Sequence, residues 1–171
     1  RRVTLAAAGD LVPNGLAMRS IRAAASEADG YRTFLAGYAA SLADDEIAYL
    51  NLEVPLVDDV VELDGGWPSS LTERPRRAPV LGATPILATV LGEIGVDVVG
   101  LANNHAFDQG NEGLRRTRDL ARAAGLVAPG AGTSAADALA PVIVERSGVR
   151  VSFVSLTTSL NRRGTDGPRF F

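Results

Sequence analysis

Between Ala102 and Gly113 the chain reads ANNHAFDQGNEG, which crowds Asn103, Asn104, His105, Asp108 and Gln109 into seven residues. His105 is the single histidine of the chain, and an imidazole is the side chain whose charge changes near neutral pH. Two other polar groups follow apolar runs in the same way: Asp10 after Val3–Ala8, and Asn51 with Glu53 after Ile47–Leu50. Two carboxylates, carboxamide oxygens and an imidazole suit a hard or borderline divalent ion, Mn, Mg or Fe. Such an ion stabilises charge on a transferring phosphoryl group or generates hydroxide at neutral pH. The same groups without a metal could do acid–base work, with His105 and a carboxylate as opposite numbers.

Each group taken alone has a plainer reading. Gly9-Asp10 is a turn, Glu53 a solvated strand end, and Asn103 or Asn104 a cap for the helix that follows. The argument for a site is convergence, and convergence depends on the elements that carry these residues. Val96–Leu101 is a short, β-branched run of the kind buried on both faces of a parallel sheet. Val3–Ala8 and Ile47–Leu50 read as two more strands. In an open α/β sheet, ligands bind beyond the carboxyl ends of the strands, so three parallel neighbours would bring the polar groups to one edge.

Helical patterns lie between the strands. They cover Leu16–Ala25 and Tyr31–Leu42, separated by Asp29-Gly30, and then Thr84–Gly92 and Asn111–Ala124. Phe34, Leu35, Tyr38 and Leu42 are expected in the core, as are Ile86, Leu87, Val90 and Leu91. Val57–Pro79 reads as a long irregular loop holding Trp67, either a solvated insertion or a substrate lid. Ser134–Ala138 reads as a helical turn. Val142–Val144 and Val149–Val154 flank Ser147-Gly148 as a hairpin, and the tail from Asn161 shows no periodicity. Strands alternating with helices give an α/β fold class, layered, with a largely parallel sheet.

Composition excludes several functions. The chain has 171 residues, expected as one domain over 1–171, with 46% hydrophobic and 22% charged residues. Its net charge of −3 offers no basic face for nucleic acid. With no cysteine, there is no disulfide framework, thiolate metal site or Cys nucleophile. No apolar run reaches the roughly 20 residues of a membrane span. The first residues leave the compartment open: cytoplasmic if Arg1 is the native start, extracytoplasmic if a signal or anchor preceded it.

The motifs Gly9-Asp10, Asn51-Leu52-Glu53-Val54-Pro55-Leu56, Ala102–Leu114, Ala124-Gly125-Leu126 and Gly130-Ala131-Gly132 occur in an order that resembles the CapA family over about residues 3 to 158. These are bacterial capsule-synthesis, poly-γ-glutamate-associated proteins within the calcineurin-like metallophosphoesterase superfamily. The resemblance implies a layered α/β/β/α sandwich. It places Asp10, Glu53 and Asn104 as metal ligands, His105 as catalytic acid and Asp108 as the partner orienting it. Asn51 and Asn103 are weaker candidates for substrate contacts, and Asp10 also serves as a catalytic candidate. The superfamily uses further histidines that this one-histidine chain does not carry, so the sandwich and its dinuclear site are expected to be incomplete here. Three functions follow: a metal-dependent hydrolase of a phosphoester or of an amide-type polymer or peptide bond; a metal-independent peptide epimerase using Asp10 and a histidine; or a non-catalytic component of polymer export.

Overall fold

The computed structural model describes residues 1–13, 15–58 and 79–161. The elements follow as β1 (Leu5–Leu11), α1 (Gly15–Arg22), α2 (Glu27–Phe34), α3 (Ala36–Leu42), β2 (Ile47–Leu52), α4 (Ile86–Glu93), β3 (Val98–Gly100), α5 (Gly110–Ala123), α6 (Ala135–Leu139), β4 (Val142–Arg146) and β5 (Val149–Phe153). Strands β1, β2 and β3 form a parallel sheet in that order. Val127–Pro129 extends it beside β3, through Val99 N–H to Val127 O and Leu101 N–H to Pro129 O. Strands β4 and β5 form the expected antiparallel hairpin, turning on Ser147 and Gly148, both with positive φ.

Side-chain alternation along β2 sorts the two faces. Ala48, Leu50 and Leu52 join the helices in the main core with Leu87, Val90, Leu91 and Val99. Ile47 and Tyr49 face the other way and, with Val98 and Val127, pack on Val144, Val151 and Phe153 of the hairpin. The layers are therefore helices, parallel sheet and antiparallel hairpin. The fourth layer of an α/β/β/α sandwich, helices outside the second sheet, is not present among the described residues.

One irregularity decides where Asp10 points. Ala7 pairs with Tyr49, yet Asp10 pairs with Asn51, so three steps along β1 match two along β2. The extra residue at Ala8-Gly9 is a β-bulge. Without it, the two-residue period would place Gly9 opposite Asn51 and turn Asp10 toward the helical layer. With it, Asp10, Asn51 and Gly100 lie in one row.

The helices correct several expectations. Asp29-Gly30 does not separate two helices; it lies inside α2, which starts at Ser26, whose Oγ accepts the Asp29 N–H at 3.1 Å. The break falls instead at Leu35, between α2 and α3. Gly30 is required there by packing, because α2 crosses α1 so closely that a Cβ would sit 2.6 Å from Ile21 Cα and 2.7 Å from its carbonyl carbon. Leu35 and Leu42 are buried as expected, whereas Phe34 and Ile86 are 40% and 37% exposed. Strand β1 runs on to Leu11 and β2 to Leu52, so Asp10 and Asn51 sit within strands rather than after them. Most of the Val57–Pro79 loop, Trp67 included, lies outside the described residues.

The α1–α2 crossing gives a test by contrast. Gly30→Ala must push backbone against backbone, and an overpacked core costs about 1–3 kcal/mol. Gly37→Ala in α3 meets nothing within 4 Å and improves helix propensity by up to about 1 kcal/mol. Thermal denaturation should move the two melting temperatures in opposite directions.

Candidate functional site

The row set by the bulge begins a chain of hydrogen bonds across all three strands. Asn51 Nδ2 donates to Asp10 Oδ1 at 2.8 Å. Asn103 Nδ2 donates to Leu52 O at 2.9 Å and to Asn51 Oδ1 at 3.3 Å. Asn103 Oδ1 then accepts the His105 backbone N–H at 3.1 Å. The carboxamides that are costly at a buried strand end are thus satisfied, and they connect Asp10 to the turn carrying His105. Neither Asn103 nor Asn104 caps α5, whose N-cap is Gln109.

His105 is held from behind. Its Nδ1 lies 2.7 Å from Asp108 Oδ2, with the histidine side chain 10% exposed and the Asp108 side chain fully buried. The same carboxylate oxygen accepts the Leu81 backbone N–H at 2.6 Å, and Gln109 Nε2 donates to Leu81 O at 2.8 Å. An oxygen already accepting one N–H is an acceptor toward the ring as well, so Nδ1 carries the proton and Nε2 offers a lone pair. Nε2 meets Asn161 Nδ2 at 3.0 Å.

Glu53 lies half-buried just past β2, beside the side chains of Asp10 and Asn104. Burial, and next the charge of Asp10, pushes its carboxyl above the usual carboxylate range, while the charge of His105 and the Asn104 amide pull it back. Tyr49 lies behind this row: burial foremost, then the charge of Asp10, raises its phenol, and its ring stacks on Phe153 at 5.9 Å. Gly100 leaves room for the Tyr49 hydroxyl, since a Cβ would run into that oxygen.

The structure therefore brings Asp10, Asn51, Glu53, Asn103, Asn104 and His105 to one corner, with Asp108 behind the histidine. It adds partners that no local pattern marks: Leu81, Asn161, and Ser155, whose Oγ accepts the Ala102 N–H at 3.2 Å. Among the described residues, no three of His, Cys, Asp and Glu gather around one point. The donors at the corner are two carboxylates and carboxamides, an oxygen set suited to a hard divalent ion.

Glu53 supplies a pH test. A glutamate raised in the folded state favours folding fully below its ordinary value of about 4.3 and loses that contribution as pH rises through the folded value. In chelator, Glu53→Gln should therefore gain stability relative to wild type on going from about pH 4 to about pH 8. Urea denaturation at several pH values reads the difference, and a difference independent of pH would contradict the upward shift of the Glu53 carboxyl.

The family model described as bacterial capsule synthesis protein PGA_cap matches residues 4–169. Two uncharacterized proteins of Sinorhizobium fredii (strain NBRC 101917 / NGR234), y4sH and y4uA, are each 36% identical over 75 residues. That stretch is 44% of this chain and spans only 16% of each relative's length. No helix among the described residues is long and apolar enough to cross a membrane. With its parallel sheet, helical layer and matched span, the chain belongs to the bacterial capsule synthesis protein family, of metallophosphoesterase-like fold.

Proposed function

We propose that the protein is a metal-dependent hydrolase of a phosphoester or of an amide-type bond in a polymer or peptide. The observation that carries the reading is the corner itself: oxygen donors of Asp10, Glu53 and Asn104 beside a histidine whose far nitrogen is fixed by a buried carboxylate. Burial and, next, the charge of Asp10 raise the Glu53 carboxyl, and a divalent cation would relieve the repulsion between the two carboxylates. Asp10, Glu53 and Asn104 would hold Mn²⁺, Mg²⁺ or Fe. Such an ion supplies positive charge against a developing anion and lowers the pKa of water.

The chain's own groups divide the remaining work. The bonds from Asp10 through Asn51 to Asn103 keep the strand-end groups in register before substrate arrives, so little reorganisation remains for the reaction. Asn51 and Asn103 would be the weaker candidates for contact with substrate at the strand ends. Asp108 accepts from Nδ1 and keeps the ring plane fixed. When the ring carries a second proton on Nε2, that nitrogen gives it to the leaving oxygen or nitrogen and returns to the lone-pair form.

The test is ion-linked stability and turnover together. A ligand that binds only the folded state adds about 2.7 kcal/mol at a hundred times its dissociation constant. Mn²⁺ should therefore raise the melting temperature of the wild type by several degrees, and Asp10→Asn and Glu53→Gln should lose most of that rise. Hydrolysis of a chromogenic phosphodiester or a poly-γ-glutamate chain should fall with chelator and return with Mn²⁺. No shift with Mn²⁺, and turnover indifferent to chelator, would defeat this reading. Deuterium uptake from heavy water at a peptide α-carbon would then favour the Asp10–His105 epimerase instead.

A further inference from the structure

Asn161 lies eight residues past β5 and reaches back to the histidine corner by two bonds. Its backbone N–H donates to Asn104 O at 2.9 Å, and its Nδ2 lies 3.0 Å from His105 Nε2. Two contacts hold the segment leading to it. Leu160 packs on the main core, and Thr157 Oγ1 closes a small turn with the backbone N–H and carbonyl of Ser159. Asn161 itself is exposed, so its carboxamide lies on the solvent side of a ring that is otherwise enclosed.

Nδ1 is committed to Asp108, which leaves Nε2 as the one ring nitrogen that a substrate can reach. Asn161 occupies that approach. We propose that Asn161 is a displaceable cap on His105: its carboxamide holds Nε2 and the ring plane in the free protein, and a substrate atom must take its place before proton transfer. The arrangement suits the task chemically. A primary carboxamide carries donors and an acceptor, so it can meet the ring nitrogen with or without a proton there. It is also carried on an exposed side chain that can rotate away while the backbone bond to Asn104 remains. Asn161 is thus a positioning residue, and its position also limits which substrate groups reach the histidine. The proposal rests on the hydrolase reading only in taking Nε2 as the atom that meets the substrate.

The single histidine makes a direct test available without substrate or metal. Diethyl pyrocarbonate is attacked by the imidazole lone pair: a bond forms from Nε2 to the carbonyl carbon, the anhydride C–O bond breaks to release ethyl carbonate, the Nδ1 proton is lost to water, and the ultraviolet absorbance of carbethoxyhistidine reports one site. Asn161→Ala should react about fivefold faster than wild type, the factor equivalent to one net hydrogen bond of about 1 kcal/mol. Thr157→Ala loosens the preceding turn but keeps the carboxamide, and should react at the wild-type rate. Melting curves of both variants verify that the fold is intact. Equal rates for wild type and Asn161→Ala would overturn the proposal, as would an equal rise in Thr157→Ala. Because the probe is blind to hydrolysis, a protein without hydrolase activity could still show the capped histidine, and the two readings fail separately.

Discussion

The contact on which the site depends is the one between His105 and Asp108. A fully buried carboxylate is costly unless it is paired and hydrogen-bonded, and here one oxygen receives both the imidazole Nδ1–H and the Leu81 N–H. That arrangement fixes the ring tautomer, points Nε2 outward and ties the chain at Leu81 to the strand-end turn. It also explains the run from Asn103 to Gln109, where Asn103 pins the start of the turn to β2 and Gln109 clasps Leu81 at its end. The second carboxylate oxygen of Asp108 has no hydrogen-bond partner among the described residues, so the bonds from His105 and Leu81, both to Oδ2, hold the group in place.

The remaining groups reach the histidine through sheet register. Parallel pairing of β1, β2 and β3 sets Asp10, Asn51 and Gly100 level, and the bulge at Ala8-Gly9 turns Asp10 to the side that faces the hairpin. Sheet geometry and chemistry are thus coupled at one residue. A regular β1 would bury the Asp10 carboxylate under the helices, at a desolvation cost that nothing there offsets. The bulge instead delivers it to the carboxamide of Asn51.

Much of this was legible in the sequence because it follows from local periodicity. The β-branched run before Gly100, the stripe of Leu114, Thr117, Leu120 and Ala121, and Ser147-Gly148 between two alternating segments each carry their structure in a few residues. The convergence of three polar strand ends then follows from topology. What was not legible depends on contacts between distant segments. Asp29-Gly30 has the composition of a turn, yet the Ser26 cap and the close approach to Ile21 make it helical. The bulge leaves no mark beyond an ordinary Gly-Asp pair. Asn161 sits in a stretch without periodicity, and its meaning comes only from reaching Asn104 and His105 across 56 residues of sequence. Family resemblance supplied the expected role for Asp108 before any geometry did; the distance of 2.7 Å to the ring gives that role a physical basis.

The central claim is that Asp108 holds His105 with its proton on Nδ1 and Nε2 presented to the site. Long-range ¹H–¹⁵N correlation NMR tests it most directly, because a chain with one histidine gives one set of ring signals. At a pH where the ring is neutral, the account predicts a protonated Nδ1 and an unprotonated Nε2, with that preference lost in Asp108→Ala. A proton resident on Nε2 in the wild type, or a tautomer unchanged by Asp108→Ala, would contradict it.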